Sequence, residues 1–185
     1  LANWHLVFRI LNDDYVEGRL GLWRFIVIAL GLYLLAVLIL SMYWNQQPVL
    51  LEHPVVADKT GSATTQTLIN LGTLLLEKPG GYLSNDVGLP GVWMDNIPNW
   101  EFGVLIQMRD LIRALRKDFS RSQSQSTEDI DLAVAETQLH FDNSSWLLPA
   151  SKSEYRQGID GLQSYHARLL NRKSPERQNY ARART

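Results

Sequence analysis

The strongest signal in the sequence is an uncharged apolar run of 20 residues, FIVIALGLYLLAVLILSMYW, from Phe25 to Trp44. As a helix rising about 1.5 Å per residue, this run spans roughly 30 Å, the thickness of a bilayer's hydrocarbon core. Its twelve Leu, Ile, Val and Phe residues favour insertion by about −4 to −7 kcal/mol in total. We therefore predict a transmembrane helix, with Trp23 at one membrane interface and Tyr43 and Trp44 at the other.

Two other interpretations of this run are a buried core helix and a cleaved signal peptide. A signal peptide has a shorter apolar region that is followed closely by a small-residue cleavage site. The run is too long for that pattern, and no such site lies close behind it. We interpret it as a retained anchor.

The basic residues that flank the run predict its orientation. Arg9, Arg19 and Arg24 precede it, whereas the next basic residue after Trp44 is Lys59. Because basic residues stay on the cytoplasmic side of a membrane, the N-terminus is predicted to be cytoplasmic. The rest of the chain would then lie in the periplasm, which predicts a bacterial inner-membrane protein.

Composition narrows the classes of function. The net charge of −1 lacks the concentrated basic excess that nucleic-acid binding needs, so no nucleic-acid partner is predicted. The absence of cysteine excludes disulfides, thiolate metal sites and cysteine nucleophiles. The predicted partners are membrane lipids and an integral membrane protein complex.

The periodicity of apolar residues predicts a mainly α fold, because no segment alternates with period two. One anchor would be preceded by an amphipathic N-terminal helix and followed by a small helical domain. We predict five segments: a cytoplasmic amphipathic arm (1–20), a transmembrane helix (21–44), an extended connector (45–62), a helical periplasmic domain (63–171) and a polar tail (172–185).

Capping residues and apolar spacing predict the positions of the helices. The arm would form a helix over 3–17 with Trp4, Phe8 and Leu11 on one face. The domain would contain four further helices. The first runs from Ala63 to Glu77, and the second covers residues 100–119 and is capped by Asn99. The third begins at a Ser126–Asp129 capping box and ends near His140, and the fourth begins at the SKSE capping box at 151–154, with one face formed by Tyr155, Ile159, Leu162, His166 and Leu169.

The candidate catalytic residues are few. The four histidines are scattered, and His140 with Asp142 is weak evidence for a metal site. No phosphate-binding loop, dinucleotide fingerprint or nucleophile elbow is present in the sequence. If the protein were an envelope hydrolase, Glu101, Asp95 and His140 would be its only candidate catalytic residues. We therefore predict no catalytic residue, no metal and no cofactor.

The stretch GVWMDNIPNWEFG, residues 91–103, carries much apolar surface between two predicted helices. It either forms a turn-rich corner of the core or an exposed patch for a partner. The corner is favoured, because a small domain must bury such loops. A lipid-binding or peptidoglycan-binding module would instead need an apolar groove lined by Trp93 and Trp100.

Three groups of residues are candidates for contact with a partner. The arm face of Trp4, Phe8 and Leu11 suits a membrane interface or a partner's helix, although packing on its own chain is equally plausible. Small residues in the span let another helix approach. The basic helix face suits anionic lipid or an acidic partner, with a solvated face as the simpler interpretation. Together with the two tryptophans, the candidates are Trp4, Phe8, Leu11, Gly31, Ala36, Trp93, Trp100, Arg109, Arg113 and Arg116.

The stretches GVWMDNIPNWEFGVLIQMRDLIRALRKDFSRSQSQSTEDIDLA and FDNSSWLLPASKSEYRQG resemble a family of Gram-negative envelope proteins, domain of unknown function 2333. The resemblance covers most of the chain after the span, and NWEFG and RKDFSRSQSQS are its most specific parts. It implies an inner-membrane protein with one N-terminal anchor and a helical periplasmic domain. It also implies longer members, so we expect this chain to be a fragment.

These observations favour a non-catalytic accessory subunit that docks on a larger envelope membrane complex. The alternatives are an envelope enzyme, such as a cell-wall or lipid hydrolase, and a lipid-binding or peptidoglycan-binding module.

Overall fold

The structure is a computed structural model that describes residues 4–46, 48–49, 61–119 and 128–171; for 4–20, 118 and 119 it describes the backbone alone. Within these ranges the secondary structure is helical and contains no strand, which confirms the predicted mainly α fold. The chain forms two compact units, Leu1–Met42 and Tyr43–Thr185. The helices are α1 (Trp4–Trp44), α2 (Ser62–Glu77), α3 (Asn96–Ala114), α4 (Ile130–Leu139) and α5 (Ser151–Leu170).

The predicted arm helix and transmembrane helix are one continuous helix, α1. Its segment Gly21–Trp44 is long and apolar enough to cross a membrane, and most of its side chains are exposed. The structure therefore confirms an apolar N-terminal helix at the predicted place. The predicted connector and tail lie mostly or wholly outside the described residues.

The second unit is a bundle of α2, α3, α4 and α5. Helix α5 packs against α4 and α2, and α3 also packs against both of those helices. Their apolar stripes meet in one core, as the helical spacing predicts. The largest fully buried side chains of this core include Tyr82, Tyr155, Tyr165, Leu68, Leu75, Leu105, Met108, Ile112, Leu115 and Leu132.

Two glycines let α4 and α5 approach closely. A Cβ atom on Gly158 would lie 2.9 Å from Cγ of Leu139, and one on Gly161 would lie 3.0 Å from the Asp131 carbonyl oxygen. Because real Cβ atoms essentially never come within 3 Å of a neighbour, any larger residue at Gly158 would force Leu139 or the facing helix to shift.

The predicted start of α3 is wrong, and the capping box predicted for α5 does not form. Helix α3 begins at Asn96 after Asp95, so Asn99 lies in the first turn and its backbone N–H donates to the Asp95 carbonyl, 3.0 Å away. Helix α5 begins at Ser151, as the SKSE motif predicts, but its N-cap is Ala150 and no side chain caps it. The Ser151 hydroxyl lies instead within hydrogen-bond distance of the Asp142 (2.6 Å) and Ser145 (3.0 Å) carbonyl oxygens. Ser151 does not cap α5 because the preceding loop supplies carbonyl oxygens that its hydroxyl binds instead.

The start of α4 follows the prediction in part. The Asp129 carboxylate accepts the backbone N–H groups of Asp131 and Leu132 at 3.0 and 3.1 Å, so Asp129 is itself the N-cap. Ser126, the predicted capping residue, lies outside the described residues.

Candidate functional site

A buried ion pair organises the loop between α2 and α3. The Lys78 ammonium donates to the Glu101 carboxylate and to the Gly81 carbonyl, and both charged side chains are almost fully buried. Glu101 also accepts the backbone N–H groups of Leu83 and Ser84, each at 2.8 Å, and the Ser84 hydroxyl at 2.5 Å. A buried carboxylate with this many donors is satisfied internally, so Glu101 holds the loop against the first turns of α3.

A second set of bonds joins this loop to the segment before α5. The Tyr82 hydroxyl donates to the Asn143 carbonyl at 3.0 Å, and the Asn85 amide donates to the Ser145 carbonyl at 3.0 Å. The Tyr82 ring packs edge-on against Tyr155, with centroids 5.3 Å apart. Burial raises the pKa of the Tyr82 hydroxyl well above its usual range. The two loops therefore form one ordered surface.

A cleft of about 440 Å³ lies between these two loops. One wall is the indole of Trp44, which packs over Gly80; a Cβ atom there would lie 2.8 Å from the ring. Gly80 has φ +84°, which a glycine adopts without strain. The residues that line the cleft include Trp44, Tyr82, Asp86, Leu89, Trp146 and Lys152.

The cleft is lined by one carboxyl group, on Asp86, and one amino group, on Lys152. Burial is the main cause of the raised pKa of the Asp86 carboxyl, and the negative Glu101 raises it further. Lys152 and Lys78 act in the opposite direction by favouring the charged carboxylate. A cleft with two indole walls and a carboxyl–ammonium couple suits the binding of an amphipathic group.

The loop after α4 exposes a run of apolar residues. Trp146, Leu147 and Leu148, here called the WLL loop, are 56%, 60% and 97% exposed. Val87 and Leu89, which line the same cleft as Trp146, are also exposed. This site was missed in the sequence, although WLLP in an otherwise polar stretch was a local signal for it.

The two candidate tryptophans of GVWMDNIPNWEFG have different environments. Trp93 is 63% exposed on a 3₁₀ turn, Gly91–Trp93, whereas Trp100 is partly buried against the core. Ile97, between them, is almost fully buried. The stretch is therefore a core corner at Ile97 and Trp100 and an exposed surface at Trp93. Neither tryptophan lines the cleft described above.

The three candidate arginines are bound within the bundle. Arg109 donates to the carbonyls of Leu139 (2.5 Å), the last residue of α4, and of Phe141 (2.9 Å), two residues further on. Arg113 and Arg116 form ion pairs with Glu136 at 3.3 and 2.7 Å. These contacts join α3 and the helical turn after it (Leu115–Phe119) to α4 and the residues that follow α4. They account for the basic helix face without an outside partner. A role of these arginines in partner binding stays a prediction.

The other candidates lie on α1. A Cβ atom on Gly31 would have no neighbour within 4 Å, and Ala36 is exposed, so both are open to an approaching helix. Trp4, Phe8 and Leu11 are on the helical part of the arm, but their side chains are not among those described. Their contact with a partner stays a prediction.

The proposed hydrolase residues do not form a site. Glu101 is enclosed by its internal partners, and Asp95 and His140 are exposed but do not line the cleft. His140 bonds through Nδ1 to the Glu136 carbonyl and through Nε2 to Arg113. Across the described ranges, no three His, Asp or Glu side chains are grouped closely enough to hold a metal ion.

In the described residues, the fold and site define an all-α architecture with one apolar N-terminal helix and a four-helix bundle that presents a two-loop cleft. The chain belongs to the family described as "uncharacterized protein conserved in bacteria (DUF2333)", whose profile matches residues 17–185. This confirms the family resemblance seen in the sequence. Neither a curated protein nor a solved structure matches the chain.

Proposed function

We propose that this protein is a single-pass inner-membrane subunit that associates with a larger membrane complex and performs no catalysis itself. The N-terminus lies in the cytoplasm and the bundle in the periplasm. Arg9, Arg19 and Arg24 before the span support this orientation. The apolar segment Gly21–Trp44 is the anchor.

The observation that carries this proposal is the exposed Trp93. Backbone bonds hold its turn in place: Trp93 N–H donates to the Pro90 carbonyl and Met94 N–H to the Gly91 carbonyl, each at 3.0 Å. An indole has only two rotatable side-chain bonds, so on an ordered backbone turn it loses little conformational freedom on binding. Tryptophan is accordingly enriched among the residues that dominate interfaces. The neighbouring Val92 is exposed as well.

The charged residues nearby support an interaction role over a catalytic one. Glu101, Arg109 and Arg116 all bind partners within the bundle. Their geometry explains the stability of the fold, and none of them is aimed at solvent as an acid, base or nucleophile must be. Trp93 and Val92 are apolar side chains that stay exposed and available for recognition.

The test compares two tryptophan variants of the full chain. Trp93→Ala should leave the unfolding midpoint nearly unchanged, because the side chain is mostly exposed, and should reduce co-purification of partners from native membranes in mild detergent. Trp100→Ala should lose roughly 2 to 4 kcal/mol, somewhat less than a fully buried tryptophan loses. Unchanged co-purification by the Trp93 variant, or migration of the wild type as a lone monomer from every membrane preparation, would contradict the proposal.

The orientation has its own test. The chain has no cysteine, so Gln163→Cys on the exposed face of α5 gives a unique labelling site. A membrane-impermeant maleimide should label this variant in intact spheroplasts. Labelling only after the membrane is permeabilised would reverse the topology.

A further inference from the structure

We infer that the WLL loop, together with Val87 and Leu89, inserts into the lipid interface of the membrane in which α1 is anchored. The occupant of this apolar surface is thus phospholipid, and the cleft is a second membrane contact of the bundle. The inference rests on the anchored state of the proposed function and does not depend on a protein partner.

The first argument is the exposure of the loop. Leu148 is 97% exposed and its two predecessors are each more than half exposed, so three consecutive large apolar side chains face outward. Scattered exposed apolar residues are ordinary, but contiguous ones mark a contact with another apolar phase. Nothing in the described bundle covers these side chains.

The second argument is that the loop is held in shape. The Ser145 carbonyl accepts from the backbone N–H of Ser151 and from the Asn85 amide, both at 3.0 Å. The Ser145 hydroxyl donates to the Pro149 carbonyl at 2.9 Å, which closes the loop on itself. These bonds flank the three apolar residues, so their outward orientation is a property of the fold.

The third argument identifies lipid as the occupant. Trp44 is the last residue of α1 and of the apolar segment, and its indole forms a wall of the cleft that Trp146 also lines. The surface therefore begins at the residue where the predicted hydrocarbon-crossing stretch ends. Tryptophan at the edge and leucine at the tip is the composition of segments that lie in the headgroup region.

The charges of the cleft agree with a phospholipid interface. The Lys152 ammonium lines the cleft and is suited to a phosphate oxygen, and a carboxyl at Asp86 is suited to an ammonium headgroup. Both groups lie beside the apolar residues. The cleft thus presents apolar side chains and headgroup ligands together, as an interfacial surface requires.

The experiment measures the depth of single labels on the full-length chain in liposomes of phosphatidylethanolamine and phosphatidylglycerol. Leu148→Cys and, as a second position, Leu147→Cys carry a nitroxide; Gln163→Cys is the matched control, about 16 Å further along α5 than Lys152. Collision of the nitroxide with oxygen, which concentrates in lipid, is compared with collision with a water-soluble nickel chelate. Circular dichroism verifies that each variant retains the helical content of the wild type.

Labels at 148 and 147 should collide more with oxygen than with nickel, whereas the label at 163 should show the reverse. Nickel accessibility at 148 and 147 equal to that at 163 would overturn the inference. Protection of these positions in native membranes but not in liposomes would also overturn it, in favour of a protein partner. This measurement does not test Trp93. If the lipid contact is not found, the subunit proposal is therefore still judged separately, by the Trp93→Ala variant.

Discussion

Lys78 and Glu101 form an ion pair inside the bundle, 23 residues apart in sequence and both shielded from solvent. Lys78 directly follows α2, and Glu101 lies in the second turn of α3. The pair therefore ties the end of one helix to the start of the next and orders the loop that carries one side of the cleft.

Removing one charge of this pair should be costly. Glu101→Gln leaves the Lys78 ammonium buried without a counter-charge, and we expect a loss of about 3 to 5 kcal/mol in the free energy of unfolding. Denaturant unfolding of the full chain in mild detergent measures it. The double variant Lys78→Met with Glu101→Gln should lose less than the sum of the two single losses, because no uncompensated charge remains. Additive losses would contradict a coupled pair.

The close contact of α4 and α5 depends on Gly158. Gly158→Ala places a methyl group 2.9 Å from Leu139, and overpacking of this kind costs about 1 to 3 kcal/mol. Gly103→Ala is the matched control, because Gly103 lies in α3 with no neighbour within 4 Å. That change should stabilise the helix by about 0.5 to 1 kcal/mol. Thermal unfolding midpoints should therefore move in opposite directions, and a loss at both positions would argue against the close approach as the cause.

Asp129 has two separable roles, as the cap of α4 and as a partner of Arg168 at 2.6 Å. Asp129→Asn keeps a capping side chain and loses the charge, so it should lose at most about 1 kcal/mol, since Arg168 is partly exposed. Asp129→Ala loses both roles and should be less stable than the asparagine variant by about 0.5 to 2 kcal/mol. Equal stability of the two variants in unfolding experiments would contradict a capping role for Asp129.

His166 makes stability depend on pH in a definite direction. Its Nε2 lies 3.0 Å from the hydroxyl of the buried Ser62, and burial lowers the pKa of the imidazole below its usual 6.5. As pH falls below about 6.5, the unfolded chain takes up a proton before the folded chain does, so the folded state loses stability. His166→Gln removes this titration and should lose less stability than the wild type between about pH 7.5 and pH 5. Parallel pH profiles of the unfolding midpoint would contradict the prediction.

Local patterns predicted the helical elements well. The stripe Leu105, Met108 and Ile112 is buried, and Tyr155, Ile159 and Leu162 are buried on α5, as their spacing indicates. Such spacing is a property of the helix itself, so it can be recognised without knowing the neighbouring helix. The cap of α5 was less predictable than its position, because the Ser151 hydroxyl finds its partners in the loop after α4.

Most of the candidate site could not be predicted from the sequence. The cleft combines Trp44 with residues from two loops about 40 and 100 positions later in the chain. Likewise, the sequence did not indicate that Arg109 binds the carbonyls of Leu139, the last residue of α4, and of Phe141, two residues further on. The sequence shows that a side chain is charged, but not which group it contacts in the folded protein.

The amino-acid order alone established an uncharged apolar helix near the N-terminus, helical segments after it, and membership of a bacterial family. Hydrophobic spacing and charge are properties of short stretches of sequence. These features could therefore be predicted without knowledge of the tertiary structure. Folding of the bundle settled which polar groups are buried, which indole faces outward and where a cleft forms. Those outcomes depend on contacts between residues far apart in the chain, and burial is defined only once such contacts exist.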